Sequence, residues 1–102
     1  MSYLSGYQLM WMLVMFDLPV STKEQRREAT KFRNRLLDLG FEMVQFSVYM
    51  RLCSCKAQTE VYTRQVGQEL PAGGKIEILY FTDKQYESIV SFEHGSVAGR
   101  KK

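Results

Sequence analysis

The sequence has no apolar stretch long enough to cross a bilayer. Its longest unbroken run, Leu9 to Phe16, falls far short of the roughly 20 residues that a spanning helix needs. The first basic residue, Lys23, lies downstream of that run, and no small-residue cleavage site follows it, so a signal peptide is not expected. These absences predict a cytoplasmic protein without membrane contact. Histidine occurs once, at His94, and cysteine twice, at Cys53 and Cys55. A single residue between two cysteines would strain a disulfide, which fits a reducing compartment. Three side chains of the right type also fall short of the about four ligands that zinc takes. His94 has no serine or cysteine partner in register, so no nucleophilic triad is expected. Gly73-Gly74 precedes a strand pattern rather than a helix, the wrong order for a phosphate cradle. The Lys/Arg-Gly-Phe motif of RNA-recognition modules is missing, as are internal repeats and low-complexity segments. The net charge of +3 is too small to establish nucleic-acid binding, and only the placement of the charges can decide it.

What remains is one domain's worth of chain, 102 residues with 45% hydrophobic content. Met1 to Tyr7 is either a loose arm or an extension of the first strand. From Gln8 the string QLMWMLVMF is apolar at odd and even positions alike, which predicts a central strand covered on both faces. Asp17 interrupts the run and Pro19 ends regular pairing. Ser21 and Glu24 have capping-box spacing and predict a helix from about Thr22, with Ala29, Phe32, Leu36 and Leu39 facing the core and Gly40 as its stop. Its outer side carries Lys23, Arg26, Arg27, Lys31 and Arg33.

The stretch FEMVQFSVYMRL alternates, placing Val44, Phe46, Val48, Met50 and Leu52 on one face and Gln45, Ser47, Tyr49 and Arg51 on the other. By periodicity alone it is one strand. Ser54 caps a second predicted helix with Ala57, Val61, Tyr62, Val66 and Leu70 inward, ended by Pro71-Ala72-Gly73-Gly74. Lys75 to Thr82 predicts a strand. Thr82 and Gln85 repeat the capping-box spacing before a short helical turn, and Ile89 to Phe92 offers a last strand. Strands alternating with helices in so short a chain imply a two-layer sandwich. The sheet face turned from the helices then needs a cover, which a two-fold homodimer supplies.

Asp17 is the sharpest chemical signal, a carboxylate at the rim of a sheet where ligands often meet strand ends. It either accepts amide hydrogen bonds in the Asp-Leu-Pro turn or contributes to a magnesium site, since hard cations use one or two carboxylates with water and phosphate oxygens. A second Asp17 across a two-fold axis would complete such a site. The basic helix face is either a solvated surface or a phosphate-contacting stripe. Gln45, Ser47 and Tyr49 are read as an exposed sheet face, an interface rim or support for the site.

VMFDLP, KFRNRLLDLGF, VQFSVYMRL and TDKQYESIV, in that order, resemble the CRISPR-associated protein 2 family, most closely its variants from type II systems. The resemblance covers about residues 7 to 95. It implies an α+β, ferredoxin-like βαββαβ two-layer sandwich over residues 1–95, a homodimer through the sheet face, and a mobile basic tail at residues 96–102. It also implies a scaffold that bridges dimers of the CRISPR-associated protein 1 integrase and holds duplex spacer-precursor DNA for insertion into the CRISPR array. Magnesium-dependent endonuclease activity on RNA or DNA is a further implication, with one Mg2+ per dimer interface, single-stranded RNA among the substrates, and Asp17 as the metal-binding catalytic aspartate. Gln45, Ser47 and Tyr49 fall on the family's second signature, beside that aspartate. A free-standing metal-dependent toxin ribonuclease of the same fold is the alternative. The resemblance requires two antiparallel strands between Phe41 and Leu52, with the chain reversing near Gln45 to Ser47. Periodicity and resemblance therefore disagree there, and the family fold is the expectation adopted.

Overall fold

A computed structural model describes residues 8–94 and the backbone of residues 96–99. The elements are β1 (Met10–Asp17), α1 (Lys23–Asp38), β2 (Glu42–Gln45), β3 (Val48–Cys53), α2 (Lys56–Val66), β4 (Lys75–Thr82), α3 (Asp83–Glu87), β5 (Val90–Glu93) and β6 (Ser96–Gly99). Strands β1 to β4 form one antiparallel sheet in the order β2-β3-β1-β4. This is the ferredoxin-like βαββαβ arrangement, with β5 and β6 paired apart from it as a hairpin. Among the described residues no helix is long and apolar enough to cross a membrane. The expectation for Met1 to Tyr7 lies outside the described residues. Of the segment expected as a mobile tail, Ser96–Gly99 forms β6 and residues 100–102 lie outside the described residues.

β1 is central, as its apolar sequence requires. Met12, Val14 and Phe16 are buried against Phe32 and Leu36 of α1 and Val66 of α2. Phe16 meets Phe32 edge to face, with ring centroids 5.1 Å apart. α1 starts one residue later than the spacing of Ser21 and Glu24 implies. Thr22 is the cap: its hydroxyl accepts from the Gln25 amide at 3.0 Å. The Gln25 side chain accepts in return from the amides of Ser21 and Thr22. Thr22 and Gln25 have the same spacing as Ser21 and Glu24, and glutamine satisfies a capping box as well as glutamate does. Ala29, Phe32 and Leu36 are buried as expected, and Gly40 ends the helix at φ 87°.

α2 departs further from expectation. Its cap is Cys55, which makes no side-chain capping bond, while the Ser54 amide donates to Gln58 Oε1 at 2.9 Å. Ala57, Val61 and Leu70, expected inward, are exposed. The inward stripe is Thr59, Tyr62 and Val66, with the Thr59 hydroxyl satisfied by the Lys56 carbonyl at 2.6 Å. A hydroxyl that bonds back into its own helix can be buried at little cost, which apolar periodicity does not reveal.

The single strand suggested by alternation is two strands. Gln45 pairs with Val48, leaving Phe46-Ser47 as the turn, and Ser47 takes the left-handed conformation, φ 62°, that glycine or asparagine usually supplies. The register slips between Met43 and Gln45, so Val44 is an extra, bulged residue on β2.

Parity along β1 decides what faces away from the helices. Trp11, Leu13, Met15 and Asp17 share that open face with Val48, Met50 and Leu52 of β3 and Lys75, Glu77, Leu79 and Phe81 of β4. Beyond the end of β1, the Gly73-Gly74 turn presses on the Asp-Leu-Pro segment. A Cβ on Gly74 would stand 2.5 Å from the Asp17 carbonyl oxygen, and the residue has φ 79°. Gly74→Ala is expected to cost about 1–3 kcal/mol from backbone strain alone, with the Asp17 contact adding to it, measured by urea unfolding against wild type.

Candidate functional site

Asp17 is the last residue of β1, exposed on the open face and in register with Lys75. Its position follows from alternation: Phe16 must point into the core, so the next side chain cannot. The Lys75 ammonium lies 3.5 Å from Glu77, an exposed pair of little net worth. On the other flank, the Phe16 amide donates to the Ser47 carbonyl at 3.1 Å, which ties the β2–β3 turn to the end of β1. The carboxylate therefore sits between the hairpin turn and the start of β4.

Among the described residues no group of three or more His, Cys, Asp or Glu side chains could enclose a metal. Asp17 is therefore not part of a closed metal site among the described residues. The two thiols are distant from this chemistry. Cys53 is fully buried at the end of β3, and burial pushes its thiol above the usual range, with Arg51 opposing that rise.

The other candidate residues separate in space. Tyr49 is on the helix side of β3, 3% exposed and stacked on Phe16 with centroids 5.8 Å apart, so it is core and not the exposed face its polar neighbours suggest. Gln45 is exposed on the edge strand β2, and Ser47 is half-buried in the turn beside β1. Of the three, only Ser47 is bonded directly to the residue before Asp17. Arg51, the remaining member of the polar set, also faces the helices. It donates to the Leu39 carbonyl at 2.5 Å and lies over the Tyr62 ring at 3.9 Å, which holds the C-terminal end of α1 against α2.

Lys23, Arg26, Arg27 and Lys31 are exposed along α1 and, with Thr30 and Asn34, line a shallow depression. Arg26 is partly occupied by the Val20 and Ser21 carbonyls, and half-buried Arg33 donates to Thr30. The stripe lies on the helical layer, on the opposite side of the sheet from Asp17. Sequence reading did not pick out three groups. Lys75 becomes a neighbour of Asp17 only through strand register. Alternation places Phe46 on a strand face, yet it occupies the turn and is 87% exposed. Trp11 is held by α3: its indole N–H donates to Asp83 at 2.9 Å and its ring stacks on Tyr86 at 4.1 Å.

The family model described as CRISPR associated protein Cas2 matches residues 10–89. Among similar proteins, the CRISPR-associated endoribonuclease Cas2 of Paracidovorax avenae is 64% identical over 92 residues, covering 90% of this chain and 84% of that protein. The protein of the same name from Flavobacterium psychrophilum is 46% identical over 83 residues, covering 81% and 72% respectively. That of Ligilactobacillus salivarius is 41% identical over 80 residues, covering 78% and 79%.

The packing of Tyr49 generates a prediction that separates support by packing from a polar role. Tyr49→Ala should cost about 3–5 kcal/mol, as for other buried aromatics. Tyr49→Phe should stay within about 1 kcal/mol of wild type and leave any nuclease turnover unchanged. Thermal melting and single-turnover cleavage on the same preparations check both.

Proposed function

The chain belongs to the CRISPR-associated Cas2 family, and we propose that it acts in the cytoplasm as the dimeric scaffold of a CRISPR spacer-integration complex, with a magnesium-dependent endonuclease site at Asp17. The observation that carries this reading is an apolar sheet face left open by the helices, with a carboxylate at its rim. Met15, Leu52 and Leu79 are each at least 36% exposed on that face, an arrangement that a second copy would cover. Joining two copies there would bring two Asp17 residues toward one axis while leaving both α1 stripes outward. The scaffold needs only the outward stripes: duplex spacer-precursor DNA can follow Lys23, Arg27 and Lys31 by its phosphates without base readout. The partner is the CRISPR-associated protein 1 integrase, bridged by the dimer.

The nuclease reading draws on the names of the relatives, which are called endoribonucleases. Asp17 from each copy would hold the ion, and a bound magnesium supplies a Lewis acid that polarises a phosphodiester and lowers the pKa of water. The chain's own contribution is to fix the carboxylate at a strand end, braced by Gly74 behind its backbone and by the Ser47 contact beside it.

Asp17→Asn separates the two roles. It removes the charge a cation needs and keeps a turn-compatible acceptor, so melting should barely move. Cleavage should fall by orders of magnitude, and integrase-dependent spacer insertion should persist near the wild-type level. Loss of insertion in a variant that melts normally and still gives the dimer mass by light scattering would refute the scaffold reading. The stripe is tested separately by Lys23→Gln, Arg27→Gln and Lys31→Gln together. Each lost phosphate contact should flatten the slope of log K against log salt by about 0.9 for duplex DNA. An unchanged slope places the DNA on another surface.

A further inference from the structure

Helix α2 and the edge strand β4 enclose a groove that the proposed function leaves unused. Tyr80 is the cross-strand partner of Met12, and Met10 lies two residues before Met12. Both side chains therefore point toward the helix layer and form the floor. Lys56, Glu60 and Arg64 follow one another at i, i+4 spacing and form the wall on α2. The hydroxyls of Thr63 and Tyr80, 2.6 Å apart, join wall to floor. The groove holds about 520 Å³, and Tyr80 is 45% exposed. Among the described residues, Lys56, Glu60 and Arg64 make no ion pair with one another, although their spacing suits one. The two cationic side chains are thus available to lie over a ligand.

The chain itself supplies an occupant of matching chemistry. Residues 1–7, which lie outside the described residues, read MSYLSGY: two tyrosines, a leucine and no charged side chain. The backbone bends at Gln8, so the chain leading into β1 does not continue straight along the strand. Met10 pairs with Cys53, three residues before Lys56, which sets the Lys56 end of the groove beside the start of β1. We propose that Met1 to Tyr7 turns back along α2 and docks in this groove of its own chain, with Tyr7 against Lys56, Leu4 over Met10 and Tyr80, and Tyr3 against Arg64. The lengths agree. Four extended residues from Tyr7 back to Tyr3 cover about 13 Å, and the wall from Lys56 to Arg64 runs about 12 Å at 1.5 Å per residue. Gly6 supplies the conformational freedom for the reversal. Tyrosine faces attract the ammonium and guanidinium groups, and the aliphatic stems of both cations cover the rings. The docked segment leaves the α1 stripe and Asp17 uncovered, so it straps α2 to β4 without entering either nucleic-acid surface.

The test uses the full chain with a nitroxide on Ser5→Cys in a Cys55→Ser background, because Cys53 is fully buried and does not take the label. The label should broaden the amide resonances of Lys56 to Arg64 and of Tyr80 more strongly than those of β2, at the opposite edge of the sheet. Tyr3→Ser, Leu4→Ser and Tyr7→Ser together should abolish that difference. Uniform broadening, or broadening centred on another surface, overturns the docking. A sample mixing isotope-labelled chain without nitroxide and nitroxide-bearing chain without isotope separates copies: groove broadening there means that a second copy supplies the segment, which also overturns docking within the chain. Proteolysis gives an independent reading. Lys56 and Arg64 are exposed, so Lys56→Gln with Arg64→Gln keeps the fold while removing both cation contacts. Chymotryptic cleavage after Tyr3, Leu4 and Tyr7 should then be roughly 5- to 30-fold faster than in wild type. Equal cleavage rates in wild type and variant overturn the proposal.

Discussion

The fold is organised by one strand that is apolar on both sides. Met12, Val14 and Phe16 of β1 are buried beneath the two long helices, which fixes β1 at the centre of the sheet and the helices on one layer. Trp11, Leu13 and Met15 then face the other way by the period-two geometry of a strand. The chain covers one end of that second face itself. α3, capped by Thr82 and Gln85, brings Tyr86 onto the Trp11 ring and Asp83 to its indole N–H. That arrangement satisfies the polar end of a half-buried tryptophan and removes its apolar surface from water. Elsewhere on the face Met15, Leu52 and Leu79 are exposed, while Met50 beside Leu13 is buried.

The same parity sets where Asp17 emerges. A residue after Phe16 must emerge on the open side, so a carboxylate there is presented at the rim without any special loop. Its backbone is confined by Gly74 and Pro19 on one side and by the Ser47 bond on the other. The positive φ values of Ser47 and Gly74 both lie next to this strand end. A strained non-glycine conformation at Ser47 and one that glycine adopts freely at Gly74 flank the one acidic residue that the sequence marks out.

Much of this was legible in the residues. The doubly apolar run gave β1, the 3.6-residue stripe and Gly40 gave α1, and β-branched content with a following capping box gave β4 and α3. The hairpin was not legible from pattern alone. A two-residue turn built on serine carries no glycine or asparagine signal, and alternation continues across it, so resemblance to a family and not periodicity identified the reversal. The inward side of β3 was hidden for a related reason. With both sheet faces apolar, hydrophobicity does not say which one meets the helices, and the core side proved to hold Tyr49 and Arg51. Arg51 is tolerated because its guanidinium spans the Leu39 carbonyl and the Tyr62 ring. Strand register, which sequence does not display, is what brings Lys75 to Asp17.

Placement on two layers separates the two surfaces on which the proposed function draws. The α1 stripe and Asp17 lie on opposite sides of the sheet, separated by a packed layer about 10 Å thick. A duplex following α1 by its phosphates does not bring a phosphodiester to the Asp17 of the same chain. In the proposed function, binding along the helices and chemistry at the strand ends would therefore draw on different surfaces and different forces. The first is long-range charge attraction, which salt screens. The second is short-range positioning at a strand end, which depends on backbone geometry. Alternation along β1 produces this separation, because the step that buries Phe16 turns Asp17 away from the basic helix.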